Sequence, residues 1–203
     1  MRIRQHVNPN LLFYNNMQVP PLALPAERVV EMEIGCADAQ FLFERAAADP
    51  SRTYVGLEIR EDLVKLVNKR ATAAQVPVQA VFCHAQRHLP TLVPAGSIER
   101  VYVNFPDPWF KVKHADRRMV DHDLARGIVR ALRPGGELLV QTDVWELALA
   151  GLEAFEPCDD DLENLAGAWS FWRGGNPYGV RSWREQNAEE TGLPIWRLRY
   201  RRR

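Results

Sequence analysis

Asp107 stands between Pro106 and Pro108, with Trp109 beside it and Lys111, Lys113, His114, Arg117 and Arg118 close behind. Neither proline can donate a ladder hydrogen bond, and each pushes its predecessor towards extended backbone. The carboxylate is therefore held rigidly just past the apolar run Val101-Tyr102-Val103. A rigid acid, an aromatic ring and a basic run suit a pocket for a flat polar ring that arrives attached to phosphates. Similar groups recur at the ends of other apolar runs: Glu33 and Gly35 after Val29, Glu58 within TYVGLEI, and His84 after Val78 to Cys83.

The pattern around these residues predicts strands over Val29–Ile34, Thr53–Ile59, Val78–Cys83, Val101–Phe105 and Glu137–Gln141. Between them run helical spacings. Asp38 is placed to cap a helix whose buried face is Phe41, Leu42 and Ala46, and Asp49-Pro50 ends it. Leu63, Leu66, Val67 and Arg70 mark a second helix, and Leu124, Ile128, Val129 and Leu132 a third. A fourth covers Trp145 to Ala154. Strands alternating with helices imply a parallel sheet with right-handed crossovers. Such a sheet binds ligands beyond the carboxyl ends of its strands, where the candidate residues fall. Ala168–Trp172 and Ile195–Tyr200 read as an antiparallel edge pair. Residues 1–28, with Arg2, Arg4, His6 and several prolines, read as an extended basic arm. Residues 29–203 read as one domain.

The 203 residues are 46% hydrophobic, and 26 Lys+Arg balance 26 Asp+Glu. A net charge of zero gives no support for a nucleic-acid partner; only uneven distribution could. Base gathers at both ends and in the middle, whereas Glu153 to Glu163 is acidic and reads as a solvated surface. Three cysteines, an odd number without metal-ligand spacing, argue against a disulfide framework. Cys36 and Cys83 read as core. No run is long and apolar enough to span a membrane, and the start has no signal-peptide core, so the expected location is the cytoplasm.

The segment EIGCADAQ holds only Gly35, with Ala37 and Ala39 where a G-x-G-x-G loop would carry more glycines. Close backbone approach to a pyrophosphate is disfavoured, so a dinucleotide fits poorly. S-adenosylmethionine, an adenosine with an amino-acid tail, fits better. Glu58 would accept from ribose hydroxyls.

VEMEIGCADAQFLFERA, YVGLEI, NFPDPWFKVKHADRRMV, LRPGGELLVQTD and the closing S-x-x-E…W resemble the tRNA (guanine-46-N7)-methyltransferase family, and RIRQHVNPN resembles its basic arm. The resemblance spans nearly the whole chain; F-P-D-P-W-x-K with its basic continuation is its most specific part. It implies a Rossmann-like class I methyltransferase fold: a seven-stranded, mostly parallel sheet with an antiparallel last strand and helices on both faces. It implies S-adenosylmethionine as donor, held by Glu33, Gly35, Glu58 and Asp107. His84 stands where the family usually has an acid at the adenine end. It implies tRNA as partner, with Asp107 as the active-site acid and Lys111, Asp143, Ser182 and Glu185 as substrate contacts. No metal or membrane is expected, and the protein is expected to be a monomer or homodimer. The departures at Ala37, Ala39 and His84 leave one alternative, an RNA-binding homologue with an impaired donor site. A methyltransferase for another RNA guanine is the other.

Overall fold

The apolar runs form the parallel strands β1 (Val30–Ile34), β2 (Thr53–Glu58), β3 (Val78–Phe82), β4 (Ile98–Asn104) and β5 (Leu132–Thr142) of the computed structural model. It describes residues 11–107 and 120–203. Arg2, Arg4 and His6 lie outside the described residues, as do Trp109, Lys111, Lys113, His114, Arg117 and Arg118. β6 (Leu162–Asn164), a short strand, and β7 (Trp196–Arg202) complete a seven-stranded sheet of order β3-β2-β1-β4-β5-β7-β6. β7 runs antiparallel to both neighbours, giving the expected mostly parallel sheet with an antiparallel last strand.

β1 alternates sharply. Val30, Met32 and Ile34 join one apolar cluster; Glu31 and Glu33, on the opposite face, are equally buried. The helices divide accordingly. α2 (Gln40–Ala48) and α3 (Glu61–Ala74) send Phe41, Leu42, Val64 and Val67 to the carboxylate-bearing side. α4 (Ala85–Leu92), α5 (His122–Ala131) and α6 (Trp145–Phe155) send Leu89, Leu124, Ile128 and Leu152 to the other. Cys36 and Cys83 are buried and free, as expected of core residues. No helix among the described residues is long and apolar enough to cross a membrane.

Several expectations fail locally. The arm contains a helix, α1 (Leu11–Asn16), and is docked rather than simply extended beyond it. Met17, Val19, Leu22 and Leu24 lie against the core, and the Leu22 N–H donates to the Leu92 carbonyl at 2.7 Å. α4 is unanticipated because Pro90 lies inside it. α3 buries Leu63, Val64, Val67 and Ala71, leaving Leu66 exposed and Arg70 over the Phe43 ring at 3.8 Å. Asp38 is not the N-cap of α2; Ala39 holds that position without a side-chain cap bond. β7 pairs outwards with Leu162–Asn164 and not with a strand over Ala168–Trp172, where Trp169 has φ 54, although the Trp172 N–H donates to the Arg197 carbonyl at 2.8 Å. The acidic segment is only partly solvated. Glu156 is buried, accepting from the Tyr200 hydroxyl at 2.8 Å and Asn164 Nδ2 at 2.7 Å.

Candidate active site

The register aligns the carboxyl ends of β1, β2 and β4 at one edge: Ile34 faces Leu57, and Glu33 faces Tyr102. The loop after β1 crosses that edge with Gly35, Ala37 and Ala39 all left-handed, at φ 74, 51 and 56. The alanines thus hold the conformation that glycine adopts without steric cost. Gly35 and Cys36 N–H groups donate to the Leu57 carbonyl at 2.8 and 3.1 Å. Gly56 makes room beneath them, since a Cβ there would come within 2.4 Å of Cys36 Sγ.

Glu58 closes the loop. Its Oε2 accepts from the Ala37 N–H at 2.9 Å and from Arg60 Nη2 at 2.9 Å. Its Oε1 accepts from the Ile59 and Arg60 backbone and from Arg60 Nε. Arg60 also feels the charge of Asp107, so one guanidinium lies in the field of both acids. Asp107 follows a turn set by Phe105, which has φ 47 and donates its N–H to the Gln141 carbonyl at 2.7 Å.

Glu33 is different. Asn104 Nδ2 donates to its Oε1 at 2.8 Å, while Oε2 is buried with no hydrogen-bond partner among the described residues. Burial, opposed by that bond and reinforced by Asp38 and Glu58, pushes its carboxyl up to about 8. A buried polar atom left unmatched suits a ligand that brings a donor. His84, at the start of α4, is also buried; its ring lies 5.3 Å from that of Tyr14 and its Nδ1 has no partner among the described residues. Burial first, then Arg87 and His88, pull its imidazole down to about 4, so it is neutral at pH 7.

A hydrogen-bonded chain leaves Glu33 across four strands. Gln141 Nε2 donates to Asn104 Oδ1 at 2.9 Å and to Glu185 Oε2 at 3.0 Å. Arg197 donates from Nε to Gln141 Oε1 and from Nη2 to Glu185 Oε1, both at 2.9 Å. A guanidinium has no acceptor, so Arg197 fixes which way both amides point. One register step away, fully buried Glu31 accepts from Arg45, Arg100 and the Tyr102 hydroxyl and pairs with Arg52.

Residues 27–198 match the family model described as "Putative methyltransferase". A tRNA (guanine-N(7)-)-methyltransferase of Synechococcus sp. (strain WH7803) is 36% identical over 214 residues, covering 98% of this chain and 87% of the relative. One of the same name from Nostoc sp. (strain PCC 7120 / SAG 25.82 / UTEX 2576) is 32% identical over 213 residues, covering 100% of this chain and 94% of its own. The chain belongs to the tRNA (guanine-N(7)-)-methyltransferase family. The crystal structure of the aminoglycoside resistance methyltransferase NpmB1 matches with a TM-score of 0.56 over 88% of this chain and 89% of that one. At 19% identity this is a likeness of fold.

In this member of the tRNA (guanine-N(7)-)-methyltransferase family, Glu33, Gly35, Glu58 and Asp107 come together, with His84 at the next strand end. Asp143, after β5, is ion-paired with Arg184. Ser182 caps α7 (Trp183–Glu190), accepting from the Glu185 N–H at 3.2 Å. Glu185 is fully buried, and both its oxygens already accept N–H groups, including Asn176 Nδ2 at 3.0 Å. S-x-x-E is also the signature of a helix capping box, and the Ser182 half of that box is formed. Lys111 lies outside the described residues. Sequence reasoning missed Tyr14, Glu31, Arg60, Asn104, Gln141 and Arg197. The signal for Asn104 and Gln141 was an amide ending each of two adjacent apolar strands.

Proposed function

We propose that this chain transfers a methyl group from S-adenosylmethionine to N7 of guanine 46 in the variable loop of tRNA, forming 7-methylguanosine. The observation that carries the reading is the gathering of Glu33, Glu58 and Asp107 at or just past the carboxyl ends of three adjacent strands, in a chain of this family. The residues fit the donor chemically. Glu33 Oε2 is a buried oxygen with no hydrogen-bond partner among the described residues, beside a loop in which Gly35, Ala37 and Ala39 are left-handed. When bound, S-adenosylmethionine supplies the methyl group as an electrophile.

Glu33 would accept from the ligand's N–H groups. Glu58 would accept from its ribose hydroxyls, which take lone pairs now used by Arg60. His84, neutral and buried, would sit at the adenine end. Guanine N7 carries an in-plane lone pair and no proton, so no side chain need act as a base. Asp107 would position the ring and offset the positive charge it gains. Asp143 would accept from guanine N–H groups once released from Arg184. Ser182 and Glu185 would frame the same side of the pocket. Lys111 would meet phosphate, making binding salt-dependent.

Incubating unmodified tRNA with the protein and labelled donor, then digesting to nucleosides and mapping the modified position, tests this. Absence of 7-methylguanosine with folded protein sinks the proposal; label at another guanine redirects it. The alternative of an impaired donor site rests on Ala37, Ala39 and His84, and the backbone bears on the first two. Both keep glycine's backbone conformation, so the loop has not lost its shape.

A further inference from the structure

The loop between β6 and β7 presents Trp169 in an unusual way. Its side chain is 61% exposed, yet its backbone is left-handed at φ 54. A bulky residue there is strained, and an exposed indole gains no burial to offset the strain. The conformation is imposed from below. The Trp169 N–H donates at 2.8 Å to Oε2 of Glu156, whose other oxygen is held by Tyr200 and Asn164. A buried carboxylate is thus committed to the posture of an exposed ring. Strain of this kind, held by surrounding structure, points to function.

Trp169 stands on the rim of an open groove of about 880 Å³, lined also by Trp172, Trp196, Arg173 and Arg197. Phe171 and Trp196 line it too, 5.3 Å apart between centroids, and both pack on Trp145 at 5.5 and 4.6 Å. Arg199 lies over Trp172 at 4.9 Å. Its charged lining residues are Arg173 and Arg197; Arg197 is ion-paired with Glu185 and Glu189, which leaves Arg173 to meet an anion. The groove lies at the ligand edge of the sheet, since Trp196 faces Thr142, the residue before Asp143. Aromatic faces with arginines and no lining acid match an occupant of flat rings strung on anions.

We propose that this groove binds unpaired nucleotides of the RNA substrate, with Trp169 stacking on a base and Arg173 meeting phosphate. This rests on the tRNA reading above. Base stacking is sequence-tolerant, so the groove would grip the RNA without selecting the methylated guanine.

The test is Trp169→Gly and Trp169→Phe in the full chain, measuring tRNA affinity, S-adenosylhomocysteine affinity and thermal midpoint. Glycine relieves the strain, so the midpoint should hold or rise while tRNA binding weakens roughly tenfold or more. S-adenosylhomocysteine affinity should not change, and phenylalanine should recover much of the tRNA affinity. Arg173→Ala should weaken tRNA binding and flatten its salt dependence. Unchanged tRNA affinity in Trp169→Gly overturns the proposal, as does a glycine variant that is less stable or fails to fold. Loss of self-association with tRNA affinity intact assigns the groove to a second copy and overturns it too. A wild-type protein that neither binds nor methylates tRNA would instead overturn the functional reading.

Discussion

Asn104 donates one N–H to Glu33 Oε1, and the direction of that bond is dictated from Arg197, two strands away. Because Oε1 always receives a donor, a proton on this carboxyl must sit on Oε2, the oxygen left unmatched. The folded pKa of about 8 lies above the ordinary carboxyl value of 4.5. Between those values the native state holds a proton that the unfolded chain lacks, so this group's stabilising contribution falls as pH rises through that window. A ligand ammonium at Oε2 must expel the same proton. S-adenosylhomocysteine affinity should therefore rise with pH below about 8, by up to about tenfold per unit. Calorimetry in buffers of different ionisation enthalpy should show proton release. Glu33→Gln should abolish both the release and the pH slope.

Glu31 gathers Arg45, Arg52 and Arg100 around one buried carboxylate. Glu31→Ala leaves these cations without their common partner and should cost about 3–5 kcal/mol. A lowered urea midpoint would register it. A loss below about 1 kcal/mol would mean that water reaches the cluster.

Ala37 tests the loop. Its φ of 51 favours glycine, but glycine also gains freedom in the unfolded chain, so Ala37→Gly should move stability by no more than about 1 kcal/mol. Ala37→Val, branched at Cβ, should destabilise by about 2 kcal/mol and weaken S-adenosylhomocysteine binding. Equal behaviour of the two variants would show that the loop relaxes out of the left-handed region.

Asp107→Ala should lower kcat by about a hundredfold or more while tRNA affinity stays within a few fold, since removal of one transition-state contact costs about that much. Single-turnover methylation beside filter binding separates the two. Near-normal turnover would remove Asp107 from the chemistry.

Much of the sheet was legible because β1 to β5 are apolar runs, ended by a glycine, a proline or an acid except at β3, which Cys83 and His84 follow. The strand-end acids followed from those endings. α4 was hidden by Pro90, and β6 by the charges of Glu163 and its neighbours, which read as surface although Leu162 and Glu156 are buried. The polar chain through Asn104, Gln141 and Arg197 depends on register between strands distant in sequence, which no local pattern carries. S-x-x-E was visible as a motif, but its burial was not, because Glu185, on α7, is held by Gln141 of β5 and Arg197 of β7.

Among the described residues β6 has one strand neighbour, β7, although it precedes β7 in the chain. It cannot be hydrogen-bonded into the sheet until β7 has docked on β5. Assembly at this margin therefore runs against sequence order, and opening of β7 would release β6 and the Trp169 loop together. Amide protons of Leu162–Asn164 and Trp196–Arg202 should then exchange as one cooperative unit, ahead of β1 and β4.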